Sequence, residues 1–138
     1  MNALGQQTFN NLVKIGLINA DGTRRFGEYA KLKSNGFMDL VVELLSEKEP
    51  FYKLSIAHYG EQIGDLMADP DMEIMVGMEK KQVCPMMFQN DYIGMYQEVY
   101  DSRGNRNVRL HADLLDFLST WTHNLIEQGF VYDLDSEC

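Results

Sequence analysis

The sequence predicts an α+β fold: an antiparallel meander of about six strands packed against an N-terminal and a C-terminal helix. Three observations predict it. Apolar residues recur at helical spacing only near the two ends of the chain. Between them, segment after segment alternates apolar and polar residues with period two. Turn residues separate those segments, so the strands cluster in one run between the two helices.

Taken in order, Phe9, Leu12 and Val13 share one face of a helix over 8–15, and Gly16 ends it. Asn19-Ala20-Asp21-Gly22 is a turn. A short strand over 29–32 leads to Asn35-Gly36, read as a two-residue hairpin whose partner strand runs over 37–45. There Met38, Leu40, Val42 and Leu44 line one face. Residues 46–50 turn the chain into a strand over 52–59, with Tyr52, Leu54, Ile56 and His58 facing the core.

Residues 58–73 read as a turn-rich loop, with turns at Gly64-Asp65 and at Asp69-Pro70-Asp71. Beyond it, Met72, Ile74, Val76 and Met78 line a strand, and Glu79-Lys80-Lys81 is a charged hairpin tip. Pro85 marks the next strand, over 83–89, as an edge or a bulge. Asn90-Asp91 turns into a last strand over 93–100. The closing helix carries Leu114, Leu118, Trp121 and Leu125 on one stripe, and Gly129 stops it. The whole, 1–138, reads as one domain with a frayed acidic tail at 132–138.

Composition narrows the function classes. With 21 acids against 12 bases the net charge is −9, which disfavours direct binding to nucleic acid or to an anionic membrane. No Lys or Arg follows Arg109, whereas Asp113, Asp116, Glu127, Asp133, Asp135 and Glu137 do. No apolar run reaches bilayer length, and the first residues lack a signal-peptide pattern. Cys84 and Cys138 are too few and too far apart for a disulfide framework, so a cytoplasmic setting is expected, with Cys84 a buried free thiol.

The segment 58–73 concentrates one imidazole and five carboxylates with no Lys or Arg. Glu61, Asp65, Asp69, Asp71 and Glu73 are the candidate binding residues. His58, Glu61 and Asp65 are the candidate centre for a metal or for acid–base chemistry, although a single His is a poor zinc set and the acids do not follow a calcium-loop pattern. No phosphate loop, dinucleotide fingerprint or nucleophile elbow is present, and no cofactor is expected. Arg103, Arg106 and Arg109 read as cations that balance neighbouring acids. The aromatic and Met-rich stretch from Met86 to Tyr100 reads mainly as core.

The run Ser55-Ile56-Ala57-His58-Tyr59, then Glu61-Gln62-Ile63-Gly64-Asp65-Leu66-Met67 and Asp69-Pro70-Asp71-Met72, resembles a small family of uncharacterised proteins of bacteria, phages and mobile elements. Gln89-Asn90-Asp91-Tyr92-Ile93-Gly94 and the helix holding Trp121 extend the likeness over roughly residues 8–130. Where members of that family carry Asn, this chain has Ile63, which weakens a polar role at that position. The resemblance implies a shared architecture and a mobile-element context, and no reaction.

From these readings the expected function is that of a non-enzymatic acidic protein that binds a protein partner. The class of partner expected is a basic, nucleic-acid-binding host defence enzyme, inhibited in the manner of an anti-CRISPR or antirestriction factor, with carboxylates standing in for phosphates. Two alternatives remain open at this point: a metal-binding or hydrolytic domain centred on His58, Glu61 and Asp65, and a self-associating structural protein using the strand at Tyr96–Tyr100 or the Trp121 helix.

Overall fold

In the computed structural model, which describes residues 2–133, a helix precedes six consecutive strands and a second helix closes the chain. Helix α1 (Ala3–Ile15) starts five residues earlier than the apolar spacing predicts, because the Asn2 side chain accepts the Leu4 N–H at 2.9 Å and caps it. Gly16, at φ 92°, ends it in the left-handed conformation. The strands are β1 (Tyr29–Leu32), β2 (Leu40–Lys48), β3 (Phe51–Gln62), β4 (Asp65–Gly77), β5 (Gln82–Asn90) and β6 (Met95–Glu98). They lie side by side in sequence order, every neighbour antiparallel. Helix α2 (Val108–Glu127) follows, capped by Asn107, with the turn at Gly129 (φ 90°) after it.

One face of the sheet holds the core. Leu40, Val42, Tyr52, Leu54, Ile56, Met72, Ile74 and Val76 are all buried there, together with Phe9, Leu12, Leu114, Leu118 and Trp121 from the helices. Period-two alternation therefore reads the covered face correctly from β2 to β4. The helices meet through a polar contact within apolar surroundings: buried Asn11 donates to Thr122 Oγ1 at 3.0 Å and to the Ser119 carbonyl at 3.3 Å. Both hydrogen bonds satisfy an amide that would be costly to bury alone. No helix among the described residues is long and apolar enough to cross a membrane.

Several expectations need correction. Asn35-Gly36 is not a two-residue hairpin: Leu32 pairs with Leu40, leaving a seven-residue connection, and only Gly36 has positive φ. Ser34 in that loop donates to the Gln128 carbonyl beyond α2, so tertiary anchoring replaces the tight turn and leaves Phe37 and Met38 exposed. Residues 58–73 are not a loop. β3 and β4 continue through them, and the direction reverses only at Ile63-Gly64 (φ 53° and 83°), the signature of a type I′ hairpin turn.

The second turn read at Asp69-Pro70-Asp71 is a bulge inside β4: Ala57 pairs with Asp71 and Tyr59 with Ala68, so two residues oppose one. The last strand is shorter than 93–100, because residues 91–94 form a turn. Pro85 does accompany a bulge, since Glu73 pairs with Met87 and Ile74 with Pro85, but β5 is an interior strand rather than an edge. Finally, Tyr132 is buried and its N–H donates to the Ile15 carbonyl at 2.7 Å, so the chain does not fray there. Residues 134–138 of the expected tail, and Cys138, lie outside the described residues.

Candidate functional site

The long β3–β4 hairpin organises the candidate residues, and alternation distributes them. His58 faces the core with Ile56 and Leu54, whereas Tyr59 and Glu61 face the open side. His58 is buried between Trp121 and Phe130, ring centroids 5.7 and 5.8 Å away, and its Nδ1 lies 3.0 Å from the Asp39 carbonyl. Glu61 and Asp65 are exposed at the far end of the hairpin. The structure thus does not bring His58, Glu61 and Asp65 together. Among the described residues no three His, Cys, Asp or Glu side chains are placed to hold a metal ion.

The five candidate acids separate into two sets. Glu61, Asp65 and Asp69 belong to the distal half of the hairpin. Asp71 and Glu73 sit further back, on the open face over the centre of the sheet. There Ser55 Oγ donates to Asp71 Oδ1 at 2.7 Å, and the Tyr59 hydroxyl approaches Oδ2 at 3.5 Å. Burial pushes the Asp71 carboxyl above its ordinary value, against the lowering effect of these two hydroxyls. Burial, with the Asp71 charge second, pushes Tyr59 up to about 12. Glu73 lies 3.9 Å from Lys53 Nζ. Asp71 and Glu73 are therefore engaged within the protein, which sets them apart from Glu61 and Asp65 at the tip.

A second segment completes the distal surface. The turn after β5 folds against the hairpin. Asp91 Oδ2 accepts the Ala68 N–H at 2.8 Å, the Asp91 N–H donates to the Ala68 carbonyl at 2.9 Å, and Asn90 Nδ2 donates to Asp69 Oδ1 at 3.2 Å. The hydrogen bond from Gln89, then that from the Ala68 N–H, lowers the Asp91 carboxyl below its ordinary value. Tyr92 rests on Gly60, where an added Cβ would stand 2.1 Å from the Tyr92 hydroxyl, so only glycine allows this approach.

The surface so built is apolar as well as acidic. In the hairpin Ile63 is 97% exposed and Leu66 72%, and in the turn after β5 Ile93 is 64% exposed and Tyr92 about half. No Lys or Arg occurs between residues 54 and 79 or between 82 and 102, although Lys31 of β1 lines the open-face groove shared by Tyr59 and Leu66. Ile63 also occupies φ 53°, a region that β-branched side chains avoid because Cβ crowds the following carbonyl. An apolar, β-branched residue, the most exposed of the large apolar side chains among the described residues, is thus held in a conformation that Asn would adopt more easily. Sequence reasoning missed Asp91 and Tyr92 as partners of the hairpin, since only the folded chain brings them to Ala68 and Gly60.

The sequence profile of a family described as "Domain of unknown function (DUF6908)" matches residues 7–131. The chain belongs to this family. Neither a curated protein nor a solved structure matches it. The matched span includes the hairpin, the β5–β6 turn and both helices apart from the first residues of α1.

Proposed function

We propose that this DUF6908 protein is a non-enzymatic acidic binding protein that docks on a basic protein surface through the β3–β4 tip and the β5–β6 turn. The observation that carries this reading is Ile63. An almost fully exposed apolar side chain in a strained turn, flanked in the hairpin by the exposed carboxylates Glu61 and Asp65, stabilises nothing inside its own chain. Apolar anchors within a charged rim are the usual anatomy of a protein-docking surface. The carboxylates speed encounter with a cationic partner and disfavour nucleic acid itself.

The mobile-element context implied by the resemblance makes a host nucleic-acid-binding defence enzyme the proposed class of partner, met in the cytoplasm and inhibited where it would hold phosphates. Compared with the sequence reading, the proposed surface moves outward: Asp71 and Glu73 drop out, and Asp91 enters. The test is affinity capture from a bacterial host lysate with the native protein and with a Glu61→Ala, Asp65→Ala, Asp69→Ala variant, each also challenged with nucleic acid. Capture of a basic nucleic-acid-binding protein that the variant loses, and that nucleic acid displaces, supports the reading. A captured set unchanged in the variant contradicts it.

A further inference from the structure

At the opposite end of the same hairpin lies a cleft of about 840 Å³. Phe51, the first residue of β3, lines it, eleven residues from Gln62 and hence roughly 35 Å from the tip. Its location separates it from the docking surface proposed above. Phe51, Met75 and Val108 give it apolar walls. Its polar groups are Asn2, Lys80, Gln82, Cys84, Arg106 and His111, contributed by both helix starts, the β4–β5 hairpin and the loop before α2.

Two features of those groups point to a ligand. First, the Nε2 atoms of Gln82 and His111 are buried without a hydrogen-bond partner, and His111 is only 8% exposed. A buried unpaired nitrogen costs about 1–3 kcal/mol, so two in one wall mark a site whose hydrogen bonding is incomplete as it stands. Second, the charge of the cleft opposes that of the protein. In a chain of 21 acids and 12 bases, eleven residues line the cleft, among them Lys80 and Arg106 but no Asp or Glu. Unpaired N–H groups at the start of α2 add to the same potential. Burial, followed by the Arg106 charge, also pushes the His111 imidazole below its usual value.

We infer that this cleft binds a small organic carboxylate with an apolar body, its carboxylate held by Arg106, Gln82 and His111 and its hydrocarbon against Phe51, Met75 and Val108. Guanidinium and amide donors suit a carboxylate, and a hydrocarbon chain matches walls that are otherwise wet. Cys84 takes part as a wall: burial raises its thiol above the usual value despite Arg106, so it is a weak nucleophile there.

The test is titration of the isotope-labelled full chain with octanoate and, in parallel, with octanol, followed by backbone amide NMR. The expected result is saturable shifts at residues 77, 82, 84 and 108–112 with octanoate and much weaker ones with octanol. Arg106→Gln, at an exposed position that leaves the core untouched, should weaken octanoate by about tenfold or more, the loss of one charge-assisted contact. Absence of shifts up to about 5 mM octanoate, a limit of roughly 3 kcal/mol of binding, would overturn the inference. Octanol binding as tightly as octanoate, shifts mapping elsewhere, or an unchanged Arg106→Gln affinity would each overturn it too.

Discussion

Asp91 grips Ala68 from both directions, its carboxylate accepting the Ala68 N–H at 2.8 Å while its own N–H donates to the Ala68 carbonyl at 2.9 Å. A turn that follows β5 is thereby fastened to the bulged stretch of β4, more than twenty residues earlier in the chain. The proposed docking surface depends on this clasp, because it holds the turn after β5 against the distal half of the hairpin, with Tyr92 over Gly60.

Replacing Asp91 with Ala should leave the core intact and loosen only the distal surface. Hydrogen exchange is the measurement: the amides of Ala68 and Asp91 should lose protection, while those of Leu54, Ile56 and Ile74 keep theirs. Acid should do the same to the native protein. The folded Asp91 value is depressed, so its stabilising contribution is present above the ordinary value of 3.8 and is lost as pH falls through the lower folded value. Equal protection of Ala68 in both proteins would show that the turn is held by other means.

Ile63→Asn should raise stability and weaken partner capture at once. Asn tolerates positive φ, so relieving the strain should contribute about 1 kcal/mol, roughly 4 °C in Tm. The exposed apolar anchor is lost in the same step. Thermal unfolding beside a capture assay checks both halves, and a variant that captures as well as the native chain would remove Ile63 from the surface.

Asp71 should behave in the opposite sense to Asp91. Its folded value is raised, so the folded state holds that proton more tightly than the unfolded chain does. Its contribution is therefore fully present below 3.8 and declines as pH rises from 3.8 through the raised folded value. Asp71→Asn keeps an acceptor for the Ser55 hydroxyl and removes the half-buried charge. Urea unfolding across that pH range should show a flatter profile for the variant and a more stable fold at neutral pH. Partner capture should be unchanged, since Asp71 is turned to Ser55 and Tyr59.

His58→Ala should cost about 2–4 kcal/mol, because it opens a hole between Trp121 and Phe130 and leaves the Asp39 carbonyl without its ring partner. Denaturant unfolding measures this. At temperatures where the variant is folded, capture should match the native protein; loss of function without loss of stability would restore a chemical role to this imidazole.

Much of the fold was legible because alternation at Leu54, Ile56 and His58, or at Met72, Ile74 and Val76, needs only a local rule. The segment 58–73 was misread because Gly60, Gly64 and Pro70 are turn residues by composition, yet Gly60 makes room for Tyr92 and Pro70 falls in a bulge. Asn35-Gly36 was misread for a related reason: Ser34 reaching the end of α2 is a contact across ninety-four positions. For the candidate site, charge density points to the hairpin, but it cannot tell Asp71, turned to its hydroxyls, from Asp65, turned to solvent. Arg106 read as a balancing cation, and only the arrangement of β5 and α2 shows that it lines a cleft without acids.

The most direct test of the docking surface is site-specific photo-cross-linking in host lysate. A photoreactive residue is placed at 63, 66 or 93, and in control proteins at the likewise exposed apolar positions 45 and 131. The account predicts one discrete adduct with a basic protein from the first three positions and none from the controls. Adducts formed equally from all five positions, or only from 45 and 131, would contradict it.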